Sequence, residues 1–539
     1  MDYPAINLHR AAQYRAAGYW KDDTIASLVA AAVAADPDKL AVRDNTGAAL
    51  TYAELWGKSA RLAGFMIEQG IGRGDIVTVC MPNRCDTVVV FLAIARIGGV
   101  SNPVPVTYGR ADLVYAITKC DSRALFLLDH FRSVDFRDVL AKINPADLAG
   151  RTIVMIGDTP DGVTEWDDAL AAAPITANTP VGADEPATVL PTSGTESRSK
   201  GVVHTHNTVL FGENALGRVL GLGPDDVTFM ASPISHTTGF MHGFVLTLIT
   251  GGTLSLLDVF NGEVAAKQMA DHGCTWTMGA TPFLADITTA IETSGATLPK
   301  FRYFLCGGAP IPEILARRAT DAGFHVLSIY GSTESPPHTI VHPQDPIENA
   351  WTTDGRPLPG IEVRVVDENG ADQPIGKQGE TWSRGPNTFI GYLGAPDLTA
   401  LALDSDGWVH SGDLARMRPD GSIRITGRLK EIIVRGGQNI SVREVEEHLI
   451  AHPAIKNAAV VAIPHERLGE TGAAIVVMQE GENIDLPTLS NYLIAKGIAK
   501  FKLPEQLHIW AKLPMNPTGK IQKFIIRQKL AEPDKESSA

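Results

Sequence analysis

Cysteine is scarce. Five thiols in 539 residues, Cys80, Cys85, Cys120, Cys274 and Cys306, form no C-x-x-C pair. That argues against a disulfide framework and for reduced, mostly buried thiols in a cytoplasmic protein. An excess of positive charge is missing too: 47 Lys and Arg against 61 Asp and Glu leave a net charge of −14. The chain has no global basic field for nucleic acid or an anionic membrane, so any anion must be met by local groups. Long apolar runs are also lacking. The uncharged run from Gly243 to Leu257 is short for a span and is broken by threonines and Gly251-Gly252. It reads as a buried helix or a strand plus turn. The first twenty residues, MDYPAINLHRAAQYRAAGYW, carry charges throughout and resemble no signal peptide. There is no repeat, and only the tail EPDKESSA reads as disordered. Finally, the GxxxxGK[ST] phosphate loop is absent.

What is present is a chain with 44% hydrophobic and 20% charged residues, long enough for a large buried core. Thr51-Tyr-Ala-Glu54 has the capping-box pattern and predicts a helix to about Gln69. DIVTVCMP reads as a strand and Arg84 to Ile97 as a helix. ALFLLD, RTIVMIG, TLSLLDV and FRYFLCGGAP continue the alternation, which predicts parallel sheets covered by helices on both faces. After about residue 355 the texture changes. IEVRVVDENG, GETWSRG and GSIRITGR alternate and predict a small antiparallel unit. From 431 onward come a helix opened by Ser441-x-x-Glu444, strands AAVVAI and AAIVVM, a helix near 486–496, the strand QLHIW and a last helix from about Ile521. The expected class is α/β: a large N-terminal domain, residues 1–429, and a small α+β C-terminal domain, residues 430–539.

Four stretches carry chemistry. LPTSGTESRSKG offers Thr192, Ser193, Gly194 and Thr195 as backbone and hydroxyl donors to phosphate oxygens, with Lys200 as a point charge. IYGSTES, residues 329–335, ends an apolar stretch with hydroxyls and Glu334, a hard oxygen ligand suited to Mg²⁺ beside nucleotide phosphates. Taken alone it reads better as a helix N-cap, Ser332 or Thr333 with the glutamate following. In WVHSGDLARMRPDGSIRITGR, Asp413 follows a Ser-Gly turn and could accept both ribose hydroxyls, and Arg428 follows a strand. In LPMNPTGKIQK, Lys520 stands between a Pro/Gly turn and a helix.

In this order and at about this spacing, TSGTESRSKG, YGSTE, SGDLARMRPDGSIRITGR and NPTGK resemble the adenylate-forming superfamily. That superfamily includes acyl- and aryl-CoA synthetases, adenylation domains and luciferases. The likeness runs from about Thr51 to Lys520. It implies ATP, Mg²⁺ and, as co-substrate, CoA. It implies that residues 192–200 hold the β- and γ-phosphates, with Thr195 and Glu334 at the metal. Gly307, Gly308, Ala309 and Pro310 match the segment lining adenine and acid. Tyr330 matches the aromatic beside adenine, within the nucleotide-binding run Tyr330, Gly331, Ser332 and Thr333. Thr333 matches the donor to the α-phosphate or the acid carboxylate. Asp413 and Arg428 match the ribose contacts, and Lys520 the lysine that stabilises acyl transfer to AMP. Lys430 falls at the hinge, and Gly436, Gly437 and Gln438 match the loop that lines the pantetheine tunnel. His236, in SPISHTTGF, matches a position that gates the acid pocket; the alternative is a hydrogen-bonded histidine beneath an active-site loop.

The resemblance departs from its usual TSGTTGxPKG at Glu196, Ser197 and Ser199. TSGTES looks like a variant associated with ligases of cyclohexanecarboxylate and short or medium acids. The pocket segments TTGFMHGF and TMGATPF carry no fixed charge, and no aromatic-Asp pair stands near His236, which together suit an apolar acid rather than an amino acid. The expected activity is an AMP-forming acid–CoA ligase; the alternative is an adenylating enzyme that passes its acyl-AMP to a carrier protein or an amine. Whether the chain forms a homodimer is left open.

Overall fold

A computed structural model describes residues 3–192, 200–436, 438–516 and 519–531. Among these residues, two large and mostly parallel sheets of nine and eight strands dominate. Strand Ile76–Cys80 is buried at every position and pairs in parallel with Val100–Pro103 and Ala124–Leu128. A strand covered on both faces has no reason to alternate, so it reads as one apolar run. Helices Tyr52–Glu68 and Cys85–Arg96 lie between the sheets, the second buried along its whole length. The core around them joins Val77, Val79 and Phe126 of one sheet to Val42, Leu254 and Leu256 of the other. Outer layers complete the cover. Leu113 and Ile117 pack on Leu125 and Leu127, and Leu284, Ile287 and Leu315 pack on Phe229 and Phe304.

The predicted capping box forms in full: the Glu54 amide donates to Thr51 Oγ1 at 3.2 Å, and the Thr51 amide donates to Glu54 Oε2 at 2.8 Å. The small antiparallel unit is also present, as Glu362–Val366, Gln378–Arg384, Val409–Met417 and Ile423–Arg428. Beyond it, Ile432–Arg435, Gln438–Ser441, Ile455–His465, Gly469–Met478 and Gln506–Ile509 form a five-stranded sheet. Its two cores draw only on residues beyond 430, around Val445, Val476 and Leu489 and around Val461, Ile475 and Ile526.

Two local expectations are corrected. Ser441 caps the helix Val442–Ile450, but the return half of the box is missing, because the Glu444 carboxylate receives the Lys502 ammonium at 2.6 Å instead. The last helix begins at Lys523 rather than near Ile521, since Ile521 bridges to Met515 as extended chain. The run from Gly243 to Leu257 resolves into the end of one helix, a short second helix, a turn and the strand Thr253–Leu256. Among the described residues, no helix is long and apolar enough to cross a membrane. All five cysteines are buried and unpaired.

A buried cation ties the last helix, Lys523–Ala531, to the turn Leu429–Glu431 and the helix Val442–Ile450. Lys523 Nζ lies 2.7 Å from Glu431 and 3.0 Å from Glu446. Burial raises the pKa of Glu446, and Lys523 opposes that shift. Lys523→Met would strand two carboxylates and cost about 3–5 kcal/mol. Thermal unfolding should register this as an earlier transition of the C-terminal unit. Adding Glu446→Leu to that variant should recover part of the loss.

Candidate active site

Parallel strands Trp276–Gly279, Tyr303–Gly307 and His325–Ser332 end side by side. Carboxyl ends of parallel strands are where open α/β sheets receive ligands. A cavity opens there. Gly307, Gly308, Tyr330, Gly331, Ser332 and Thr333 line it from the strands, and His236 and His242 from a separate segment. Lys520 enters from the C-terminal unit.

Lys520 packs against Gly308, whose φ is +84°; a Cβ there would lie 3.1 Å from Lys520 Cε. A side chain at 308 would therefore meet both a strained backbone and the lysine. Burial and Arg428 push the Lys520 ammonium below its ordinary pKa, while Asp413 and Glu334 act the other way. Ala309 and Pro310 do not line the cavity; the Thr281 hydroxyl holds the Pro310 carbonyl at 3.1 Å.

Asp413 is the centre of a polar cluster. The Tyr330 hydroxyl donates to its Oδ2 at 2.6 Å, and Arg428 Nε donates to Oδ1 at 2.9 Å. Burial and Asp413 push the Tyr330 phenol well up, so it remains a donor. The expected Ser411-Gly412 turn is instead a bulge inside the continuous strand Val409–Met417. Trp382 pairs with His410 and Glu380 with Leu414, so residues 411–413 crowd opposite Thr381. Gly412, at φ +70°, donates its amide to Glu380 Oε1 at 2.9 Å. The bulge re-aims the chain so that Asp413 meets Tyr330.

IYGSTES is a β-hairpin, not a helix start: His325–Ser332 pairs antiparallel with Ser335–Ile340. Its turn is held from outside. His204 Nε2 donates to the Thr333 carbonyl at 2.8 Å, and the Thr237 hydroxyl reaches Thr333 Oγ1 at 3.2 Å. The Phe389 amide holds the Glu334 carbonyl at 2.9 Å, and the Tyr392 hydroxyl donates to Glu334 Oε1 at 2.7 Å. Thr192 and Lys200 close the neck of the Ser/Thr-rich loop. The Thr192 amide donates to the Lys200 carbonyl at 3.0 Å, and the Lys200 amide to Thr192 Oγ1 at 3.3 Å. The Lys200 ammonium sits 4.6 Å from the Tyr392 ring centre. Ser193, Gly194, Thr195, Glu196, Ser197, Ser199 and Gly437 lie outside the described residues.

His236 faces the cavity, and the Thr238 amide donates to its Nδ1 at 3.3 Å. Burial, then Lys520 and His242, push its pKa down to about 3, so the ring is neutral near pH 7. With Nδ1 accepting, the proton is on Nε2. Gly436 and Gln438 stand apart from the cavity, at the turn between Ile432–Arg435 and Gln438–Ser441, where the Gly436 amide meets the Leu468 carbonyl at 2.8 Å. Lys430 lies in the single 3₁₀ turn Leu429–Glu431.

Residues 29–393 match the AMP-binding enzyme family, and residues 444–520 match the AMP-binding enzyme C-terminal domain. The chain belongs to the AMP-binding enzyme family. It is thus a member of the adenylate-forming superfamily. It is 40% identical to a medium-chain fatty-acid–CoA ligase of Escherichia coli (strain K12), over 97% of this chain and 93% of that protein. It is 32% identical to a salicyl-AMP ligase / salicyl-S-ArCP synthetase of Mycobacterium tuberculosis, over 96% of this chain and 93% of that protein. The crystal structure of ATP-bound MatB from Rhodopseudomonas palustris superposes with a TM-score of 0.85 at 31% identity, covering 94% of this chain and 98% of that one.

In this AMP-binding enzyme, sequence reading missed two features. One is a π-helix, Thr238–Val245, two residues after His236. Such wide turns are rare and tend to mark functional sites. The other is Glu213, a fully buried carboxylate on helix His206–Leu220, paired with His242. The two pocket segments carry no Asp, Glu, Lys or Arg, and this third segment places a carboxyl group behind His242. No group of three or more potential metal ligands exists among the described residues. Glu334, with one oxygen bonded to Tyr392, is a single hard donor. That suits Mg²⁺, which takes one or two carboxylates and completes its shell with phosphate oxygens and water.

Proposed function

We propose that this chain is an AMP-forming ligase that joins an apolar, medium-length carboxylic acid to CoA. The observation that carries the reading is Lys520, which crosses from the small C-terminal sheet to the strand ends where Gly307, Gly308, Tyr330 and Thr333 meet. In the first step the acid carboxylate attacks the α-phosphorus of ATP and pyrophosphate leaves. Positioning and neutralisation of charge do the catalytic work. Lys520 meets the charge that builds on the acyl and phosphate oxygens. Thr333, fixed by His204 and Thr237, donates to the α-phosphate or carboxylate. His236 Nε2–H completes the donors around the acid. Tyr330 lies beside adenine, and Asp413 and Arg428 take the ribose hydroxyls. The neck residues Thr192 and Lys200 present the loop to the β- and γ-phosphates. Mg²⁺ bound at Glu334 would neutralise phosphate charge.

In the second step the CoA thiol gives up its proton to solvent, its sulfur attacks the acyl carbon, and AMP leaves. For this the C-terminal unit, residues 430–539, turns about Lys430, withdraws Lys520 and brings the Gly436–Gln438 loop forward. The buried unpaired cysteines support a cytoplasmic setting.

Pyrophosphate release across a panel of carboxylic acids, with and without CoA, tests the reading. Turnover is expected with straight-chain, cyclic or aromatic acids of uncharged tail and should depend on CoA. Rapid turnover without CoA, to an amide or a carrier-bound product, would favour the second reading that the salicyl-AMP ligase relative suggests. Robust turnover of α-amino acids alone would overturn both.

A further inference from the structure

The Glu213–His242 pair is built into the cavity wall, and the adenylation chemistry leaves it without a role. His242 is 3% exposed and Glu213 0%, yet His242 lines the cavity. Its Nδ1 is 3.0 Å from both Glu213 oxygens. Among the described residues, no lysine or arginine forms an ion pair with Glu213. A buried carboxylate is costly without partners, and His242 is the side chain that supplies them here.

With Nδ1 engaged by Glu213, Nε2 is the ring nitrogen left for the cavity. A proton on Nε2 makes it an N–H donor there. Ile329 and Met278 contribute apolar wall to the same cavity, beside the hydroxyl-bearing Ser232, Thr237 and Thr238.

Resting on the reading of this cavity as the acid pocket, we propose that Glu213 and His242 recognise an uncharged oxygen on the acyl tail. His242 Nε2–H donates to an oxo, ether or hydroxyl oxygen carried by an otherwise apolar acid. Glu213 is the positioning residue: it holds Nδ1 and so orients the ring with Nε2 left for the tail.

The test compares kcat/KM for pyrophosphate release between plain alkanoates and matched acids with an oxo or methoxy oxygen placed at successive carbons. In the wild type, one position should be favoured over the plain acid by about tenfold or more, because a site built to donate a hydrogen bond penalises a ligand that cannot accept it. His242→Phe should bring that ratio close to one. Since this change strands the Glu213 carboxylate, Glu213→Leu with His242→Phe is measured beside it and should give the same ratio. His242→Gln, which keeps a donor, should restore part of the preference. A wild-type ratio near one at every position would overturn the proposal, as would variants that lower both acids equally and leave the ratio intact. If no acid of either kind released pyrophosphate, the ligase reading itself would fail instead.

Discussion

Lys520→Ala is expected to stop adenylate formation while sparing thioester formation from supplied acyl-AMP. The ammonium stands at the strand ends against Gly308, close enough to Asp413 and Glu334 to feel both carboxylates. In the proposed function it meets the acyl and phosphate charge that develops in the first step, and under the proposed rotation it is withdrawn before the second. Removing one such donor typically costs about 2.7–4 kcal/mol of transition-state stabilisation, or roughly a hundred- to thousandfold in rate. Single-turnover pyrophosphate release and acyl-CoA formation from acyl-AMP, measured separately, check this. An equal loss in both steps would contradict the assignment. A pH profile adds a second readout. Burial lowers the lysine pKa, so the catalytic ammonium is present at low pH and is lost as pH rises through that lowered value. The kcat/KM of the first step, which reports the free enzyme, should therefore fall at alkaline pH. In Lys520→Arg that alkaline limb should disappear, even if the rate is lower throughout, because guanidinium does not titrate there.

The parts of the site that were legible in the sequence are those in which adjacent residues act as a unit. The neck of the 192–200 loop, the 329–335 turn and the segment around Asp413 each announce themselves as small, polar or glycine-containing runs at the end of apolar strands. The sheets were legible for a related reason: runs such as IVTVC and ALFLL have too little polar surface to be anything but buried. Glu213 was not legible. It sits in FGENALGRVL, where a glutamate on a helix reads as a solvated face. Only the packing of that helix against the π-helix turns it inward. Nor does composition announce a π-helix, because the extra residue per turn is set by what the segment packs on. Ser411-Gly412 misled for a different reason. The dipeptide suits a turn or a bulge equally, and the neighbouring strand Gln378–Arg384, far away in sequence, decides between them.

Lys430→Pro should show the opposite selectivity to Lys520→Ala. Residues 429–431 form one 3₁₀ turn between the last strand of the small antiparallel sheet and the first strand of the C-terminal sheet. A 3₁₀ turn places φ at about −50 to −70°, and the proline ring fixes φ near −65°. The arrangement with Lys520 at the strand ends is therefore one that proline at 430 can adopt. The first turn of a helix also tolerates the missing N–H. The cost falls on Leu429, which a following proline pushes toward extended backbone. If the C-terminal unit swings about this turn, φ and ψ at 430 must change between the two steps, because few residues are available to absorb the rotation. Proline removes that freedom. Pyrophosphate release in a single turnover should then stay within a few fold of wild type, while acyl-CoA production collapses. If residue 430 is instead part of a static linker, both half-reactions should remain near wild type, or both should fall together through general destabilisation. The mirrored pair of defects, first step for Lys520→Ala and second step for Lys430→Pro, is what two arrangements of one small domain require. A static site that used Lys520 in both steps could not produce it.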